Sequence, residues 1–376
     1  MSNTGDLPEA DRIEGAPHPR ETALLFGQDD AQRDFLEAYN SNRLHHAWLI
    51  TGPRGVGKAT LAWRIARFLL ATPFEQGGGL FGDAPPAHET LDIPPEHPVA
   101  HRILAKSEPG LFPISRSVNE KTGKLRDMIV VDDIRGLTHF LTLSATEGGR
   151  RVVIVDAADE MNTNAANALL KMLEEPPALT TMLLISHQPS RLLPTIRSRC
   201  RELRLASLSP EAMTAALDQA GMGAEASAEL TALADGSVGE AIRLTQLGGL
   251  AMYQEIVSIF AGLPRPDRTR ALKLAEAAAT RGADTRFEML LTMFDTFLAR
   301  LARTGATGSA PVPEAAEGET QLLLRLSDTP HKARAWANIA QEISGRTRHG
   351  QAVNLDPAAL VLDTVFKITE TASGRP

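Results

Sequence analysis

Residues 47–70 read AWLITGPRGVGKATLAWRIARFLL, and the three parts of this stretch decide the fold. AWLIT, residues 47–51, is a short apolar run with strand character. Gly52-Pro53-Arg54-Gly55-Val56-Gly57-Lys58 has the spacing of a phosphate-cradling loop, in which backbone N–H groups and a helix N-terminus face an anion. KATLAWRIARFLL, residues 58–70, then places Leu61, Ile65, Phe68 and Leu69 on one helical face. Strand, glycine loop and helix together form the context such a loop requires. The glycines permit the tight backbone, and Lys58 would supply positive charge at the β/γ-phosphate position. The next position breaks the pattern. Ala59 stands where a Ser or Thr hydroxyl would ligate Mg²⁺. The hydroxyl of Thr60 is turned about 100° further round the helix. Two readings follow: a loop that binds nucleotide without hydrolysing it, or a loop kept as a packing element.

Further along, RVVIVD (151–156) reads as a buried strand ending in Asp156, and TTMLLIS (180–186) as another. Between them TNAANALLKMLE (163–174) is an amphipathic helix stopped by Pro176-Pro177. A helix is also predicted from Asp132-Asp133, and RELRL (201–205) alternates like an edge strand. Buried apolar strands separated by helices predict an α/β unit with a parallel sheet covered on both faces. The expected order is a flexible tail over 1–21, the α/β domain over 22–207, short helices over 208–250 and longer helical patterns over 251–376. Within the α/β domain, residues 73–127 carry Gly77-Gly78-Gly79, Pro85-Pro86 and Pro94-Pro95 and read as an irregular insertion.

In phosphate-loop ATPases the aspartate at such a strand end supports Mg²⁺, and a glutamate often follows it to activate water. Here Asp156 is followed by Ala157, and Asp159 lies three residues on. Asp156 is therefore either a metal contact or a carboxylate that ties down the loop. Arg197-Ser198-Arg199-Cys200-Arg201 reads by composition as a solvated basic edge; the alternative is a planar guanidinium presented to a neighbour's phosphate.

Bulk properties narrow the classes. Of 376 residues, 43% are hydrophobic and 23% charged, as in an ordinary globular chain. The net charge of −7 argues against a protein whose main task is wrapping nucleic acid. A single cysteine, Cys200, excludes an intramolecular disulfide and a cysteine-based zinc cluster. The N-terminus has no apolar signal core and no run is long enough to span a membrane, so a cytoplasmic location is expected. His88, His97 and His101 are irregularly spaced and read as solvated loop histidines, with no metal site expected.

Three stretches carry a resemblance: residues 24–70 (LLFGQDDAQRDFLEAYNSNRLHHAWLITGPRGVGKATLAWRIARFLL), 152–177 (VVIVDAADEMNTNAANALLKMLEEPP) and 186–200 (SHQPSRLLPTIRSRC). Together they resemble the delta prime family of bacterial DNA polymerase III clamp-loader subunits, which are AAA+ proteins. The resemblance covers roughly residues 22–245; the remainder matches only in being helical. It implies a RecA-like AAA+ domain, a small helical lid over 208–250 and a helical collar over 251–376 that holds five subunits in a ring. The implied partners are the gamma/tau motor and delta subunits, with the sliding clamp and primer-template DNA met through the complex. It also implies that Arg199 of the SRC triplet is an arginine finger acting in trans on a neighbour's ATP, which reverses the reading from composition alone.

Four positions depart from a motor subunit of that family. Ala59 replaces the magnesium hydroxyl, Ala157 the water-activating glutamate, and Gly239 in Gly236-Ser237-Val238-Gly239-Glu240-Ala241 the sensing arginine. Ser186-His187 replaces the usual polar sensor pair. These departures imply lost ATP hydrolysis, and no polymerase chemistry is visible in the sequence. The degenerate loop, Gly52 to Lys58 with Ala59, Thr60 and Asp156, is left either empty or holding ATP or ADP, and no cofactor is required. Gly27-Gln28 resemble the family's adenine-side element. The four-cysteine zinc module of many relatives is missing, so no zinc is expected. The competing reading is an active AAA+ ATPase motor of the gamma/tau type.

Overall fold

The computed structural model describes residues 9–72, 87–119, 121–142, 149–223 and 226–374. The chain divides into two compact units: Met1–Gly223 with Ser237–Gly239, and Ala224–Gly236 with Glu240–Pro376.

The first unit runs α1 (Asp29–Asn40), β1 (Ala47–Thr51), α2 (Lys58–Ala71), α3 (Pro98–Leu104), β2 (Leu111–Ser115), α4 (Val131–Thr142) and β3 (Arg151–Asp156). It continues with α5 (Thr163–Glu174), β4 (Thr180–Ser186), α6 (Pro194–Arg197), β5 (Arg201–Arg204) and α7 (Pro210–Gln219). The five strands form one sheet in the order β2-β3-β4-β1-β5, and each pairing is parallel. β1 and β4 are buried along their whole length, as strands covered on both faces must be. Strand alternation sends Ala47 and Leu49 of β1, Val153 and Val155 of β3, and Met182 and Leu184 of β4 to one face, packed with Leu137 of α4 and Leu169 of α5. The intervening residues Trp48 and Ile50 point to the other face, where Phe35 of α1 lies 5.1 Å from Trp48 between ring centroids. Leu61, Ile65, Phe68 and Leu69 of α2 are all at most 1% exposed, which contributes about 1.5–3 kcal/mol each.

Two expectations fail here. The stretch 73–127, expected as an irregular insertion, contains α3 and the sheet strand β2; its portion 73–86, including Gly77-Gly78-Gly79 and Pro85-Pro86, lies outside the described residues. β2 escapes a pattern search because Pro113 interrupts LFPIS. As an edge strand paired only to β3 it tolerates the missing N–H. The tail expected over 1–21 is anchored wherever it is described, from Glu9 onward. Arg20 grips both carboxylate oxygens of Glu9 at 2.9 and 3.2 Å. His18, 1% exposed, sits 3.1 Å from Asp11 and edge-on to Trp63. Charges that look solvated in sequence are paired with one another. Burial raises the Glu9 carboxyl, but bonds from Arg20 and Lys106 outweigh it and hold it at about 2.

The second unit is helical: α8 (Ala228–Ala234), the part of α9 (Val238–Leu247) from Glu240 onward, α10 (Gly249–Phe260), α11 (Arg268–Ala278), α12 (Asp284–Thr307), α13 (Glu319–Leu326), α14 (Pro330–Ala352) and α15 (Pro357–Ala372). Its interior centres on Phe260, Phe294 and Phe297 with a buried polar group at their margin. Glu319, 1% exposed, accepts from Arg300 Nε (2.6 Å) and Nη2 (3.0 Å), from the Ala315 N–H (2.7 Å) and from the Tyr253 hydroxyl.

Candidate functional site

The loop Gly52–Lys58 leaves the C-terminal end of β1, an interior strand flanked by β4 and β5, and opens α2. Its backbone demands glycine at three places. Gly52 lies at φ +138°, and a Cβ there would stand 2.4 Å from the Leu205 carbonyl oxygen. Gly57, the N-cap of α2, lies at φ +100°. Gly55 lies at φ +76° against the backbone of Gly239, whose N–H donates to the Gly55 carbonyl at 3.1 Å. The contact is mutual: a Cβ on Gly239 would meet Gly55 Cα at 3.0 Å and Ile13 Cδ1 at 2.9 Å. Any side chain at 239, arginine included, would require the phosphate loop or Ile13 to shift.

Lys58 is 3% exposed, and its ammonium donates to the carbonyls of Gly52 (2.7 Å) and Pro53, within its own loop. Burial pushes its pKa down to about 8, helped by Arg54; Asp156 and Asp159 oppose this. The amine is thus bound to loop carbonyls, and a phosphate would have to displace them. Pro53 and Arg54 are exposed at the loop tip, while Val56 is buried beneath it. Ala59 and Thr60 are partly exposed on the first turn of α2.

Asp156 closes β3. Burial raises its carboxyl to about 7, with Asp11 and Glu160 adding repulsion and Lys58 pulling down. Ala157, 2% exposed, follows it in the core. Asp159 is already engaged: its two oxygens accept from the backbone N–H groups of His187 (3.0 Å) and Gln188 (3.1 Å). It clamps the turn after β4 to the turn after β3 and does not stand as a free base. His187 is held near a pKa of about 4, by burial first and then by Lys58 and Arg54, so its imidazole is neutral at pH 7. Gln28, 4% exposed, bridges Val56 and Ala206 through its side-chain amide, tying the loop to the end of β5. Sequence reasoning placed Gln28 on the adenine side; the loop-bridging amide was not legible.

Arg199 stands on the turn between α6 and β5. Its flanks are fixed from below: Ile196 is fully buried, and Cys200 packs against the same core. Burial pushes the Cys200 thiol up to about 12, so it is not a reactive thiolate. The Arg199 side chain is 37% exposed. Its Nη1 donates to the Thr195 carbonyl at 3.0 Å, and its Nη2 lies 2.9 Å from Glu174 Oε1 at the end of α5. Arg197 is exposed beside it, and Arg201 lies over the Trp48 ring at 4.9 Å. His45 and His46 before β1 stack on each other and are both half-buried. Among the described residues no His, Cys, Asp and Glu cluster could hold a metal ion, and no helix is long and apolar enough to cross a membrane.

A parallel sheet in this strand order, with a glycine loop between its interior strand β1 and the next helix, defines a phosphate-loop protein of the AAA+ type. Residues 27–209 match the family described as DNA polymerase III, delta subunit. The DNA polymerase III subunit delta' of Pseudomonas aeruginosa is 41% identical over 216 residues, covering 56% of this chain and 59% of that one. The delta' subunit of Escherichia coli is 34% identical over 213 residues, covering 56% and 58%. The gamma/tau subunit of Mycobacterium tuberculosis is 30% identical over 205 residues, covering 53% of this chain and 31% of that one. Through residues 27–209 the chain is similar to the DNA polymerase III delta subunit family and to curated delta' subunits. The match spans 59% and 58% of the length of the two delta' relatives.

Proposed function

We propose that this chain is a non-hydrolysing subunit of a DNA polymerase III clamp loader. It works in a five-subunit ring with gamma/tau-type motors and a delta subunit. Its role is to help place the sliding clamp on primer-template DNA, and it presents Arg199 to the ATP of a neighbouring motor. Residues 208–250 act as the lid and 251–376 as the collar in this reading. The observation that carries it is the backbone contact between Gly55 and Gly239, which fills the position where a motor's sensing arginine would project. Ala59 and the buried Ala157 point the same way, since neither can ligate Mg²⁺ or activate water. The loop serves chiefly as a fold element, and any ATP or ADP it holds is not turned over.

Arg199 is the group offered outward. A planar guanidinium suits the equatorial oxygens of a transferring phosphate, and a trans arginine of this kind is worth about 10³–10⁵ in rate at the site it serves. In a complex reconstituted with its partner subunits, R199A should lower DNA-stimulated ATP hydrolysis and clamp loading while the ring still assembles. Undiminished turnover at full assembly refutes the finger. Steady ATP hydrolysis by the isolated chain, abolished by K58A, would establish a motor instead.

A further inference from the structure

The guanidinium of Arg199 is not free in the folded chain. Its Nη2 faces Glu174 Oε1 at 2.9 Å, and its Nη1 is held by the Thr195 carbonyl at 3.0 Å. The two anchors differ in kind. Thr195 lies in α6, four residues before the arginine in the same local stretch of chain. Glu174 comes from the last residue of α5, immediately before Glu175 and the Pro176-Pro177 stop. The helix end is itself fixed: Leu169 and Leu173 are buried in the core shared with Ile196. The carboxylate is therefore carried on a rigid element at a set distance from a turn whose base is equally rigid.

We infer that Glu174 is an intramolecular latch on Arg199, a positioning residue that competes with the neighbour's phosphate for the same guanidinium edge. This rests on Arg199 acting as the trans finger. An N–H that points at the Glu174 carboxylate cannot also point at a phosphate oxygen, so engagement in trans requires the pair to open. The Glu174 side chain is 49% exposed and that of Arg199 37%, so water screens the pair and it opens readily. A pair of that strength lowers the population of the free finger by about two- to five-fold. The apparent affinity for the phosphate-bearing state falls by the same factor. The latch lowers the finger's affinity for any anion by that factor, and a multiply charged phosphate group held by a docked neighbour outcompetes it.

The test uses the reconstituted complex with DNA and clamp present, measuring the ATP dependence of hydrolysis. E174Q keeps the shape and removes the charge. It should lower the apparent KM for ATP about two- to five-fold and leave kcat unchanged. The gain should shrink as salt is raised, because screening weakens the pair in the unaltered chain. E174D, which keeps the charge, should restore most of the original KM. The double variant E174Q/R199A should behave as R199A alone. An unchanged or raised KM in E174Q, with R199A strongly impaired, overturns the latch and leaves the finger standing. An E174Q effect that persists on the R199A background overturns it as well, because Glu174 would then act elsewhere. If R199A is silent, the finger itself falls, and the latch with it.

Discussion

Replacing Asp156 with Asn should remove a defined part of the pH dependence of stability. Burial at the end of β3, followed by repulsion from Asp11 and Glu160, raises this carboxyl from 3.8 to about 7 against the pull of Lys58. The native state then holds a proton more tightly than the unfolded chain does. Stability is therefore lost as pH rises through the interval from about 4 to about 7. At about 1.4 kcal/mol per pH unit the full interval corresponds to roughly 4 kcal/mol. The side chain is partly exposed, and water screens it, so about 2 kcal/mol is the expected loss between pH 4 and 8. Asn has no proton to release, so the D156N curve should be flatter by that amount and the variant more stable than the parent at pH 8. Lys58 works in the same direction. Its depressed value of about 8 makes its own effect a rise in stability above pH 8. D156N removes the carboxylate that holds its amine up, so this rise begins lower in the variant and further offsets the parent's loss. Urea unfolding at pH 4.5, 6 and 8, followed by the fluorescence of Trp48 and Trp63 in the first unit, reads the change. Identical pH slopes in parent and D156N would refute the assignment of a proton-retaining carboxyl to the end of β3.

Two further outcomes follow from the packing. E319A should cost about 3–5 kcal/mol in the second unit, because Arg300, 11% exposed, would lose its buried carboxylate partner; unfolding followed at Trp336 measures it. Cys200 should be alkylated at pH 8 roughly a thousandfold more slowly in the native chain than in urea, because its thiol is held near 12; rapid native labelling would contradict that burial.

The parts of the fold carried by local patterns were legible. β1, β3 and β4 are apolar runs, α2 and α5 show helical spacing, and the glycine loop fixes how β1 meets α2. What escaped depends on partners distant in sequence. β2 is visible only beside β3, since Pro113 is unremarkable on an edge and disqualifying elsewhere. Glu9, Asp11, His18 and Arg20 look like a solvated tail until their mutual pairing is seen. At the site, Ala59, Ala157 and Gly239 were legible in the sequence as departures from the motor pattern. Their spatial consequence, a loop closed on Gly239 and a lysine bound to its own loop, needed coordinates. Glu174 and Arg199 lie in two of the resembling stretches, yet nothing in either stretch says that they touch.

The strand order also bears on how this chain is made. β1 is complete by residue 51, but its two sheet neighbours are β4 and β5, which end at residues 186 and 204. At about 5–20 residues per second of synthesis, the apolar AWLIT segment waits on the order of ten seconds or more before both neighbours emerge. During that time a strand destined for the interior of the sheet has two open edges, and the first cover available to it is local, from α1 and α2. The nascent chain is thus most exposed to misassociation before its last strand emerges, and a ribosome pause once β5 has cleared the ribosome should aid folding where a pause before β4 emerges would harm it.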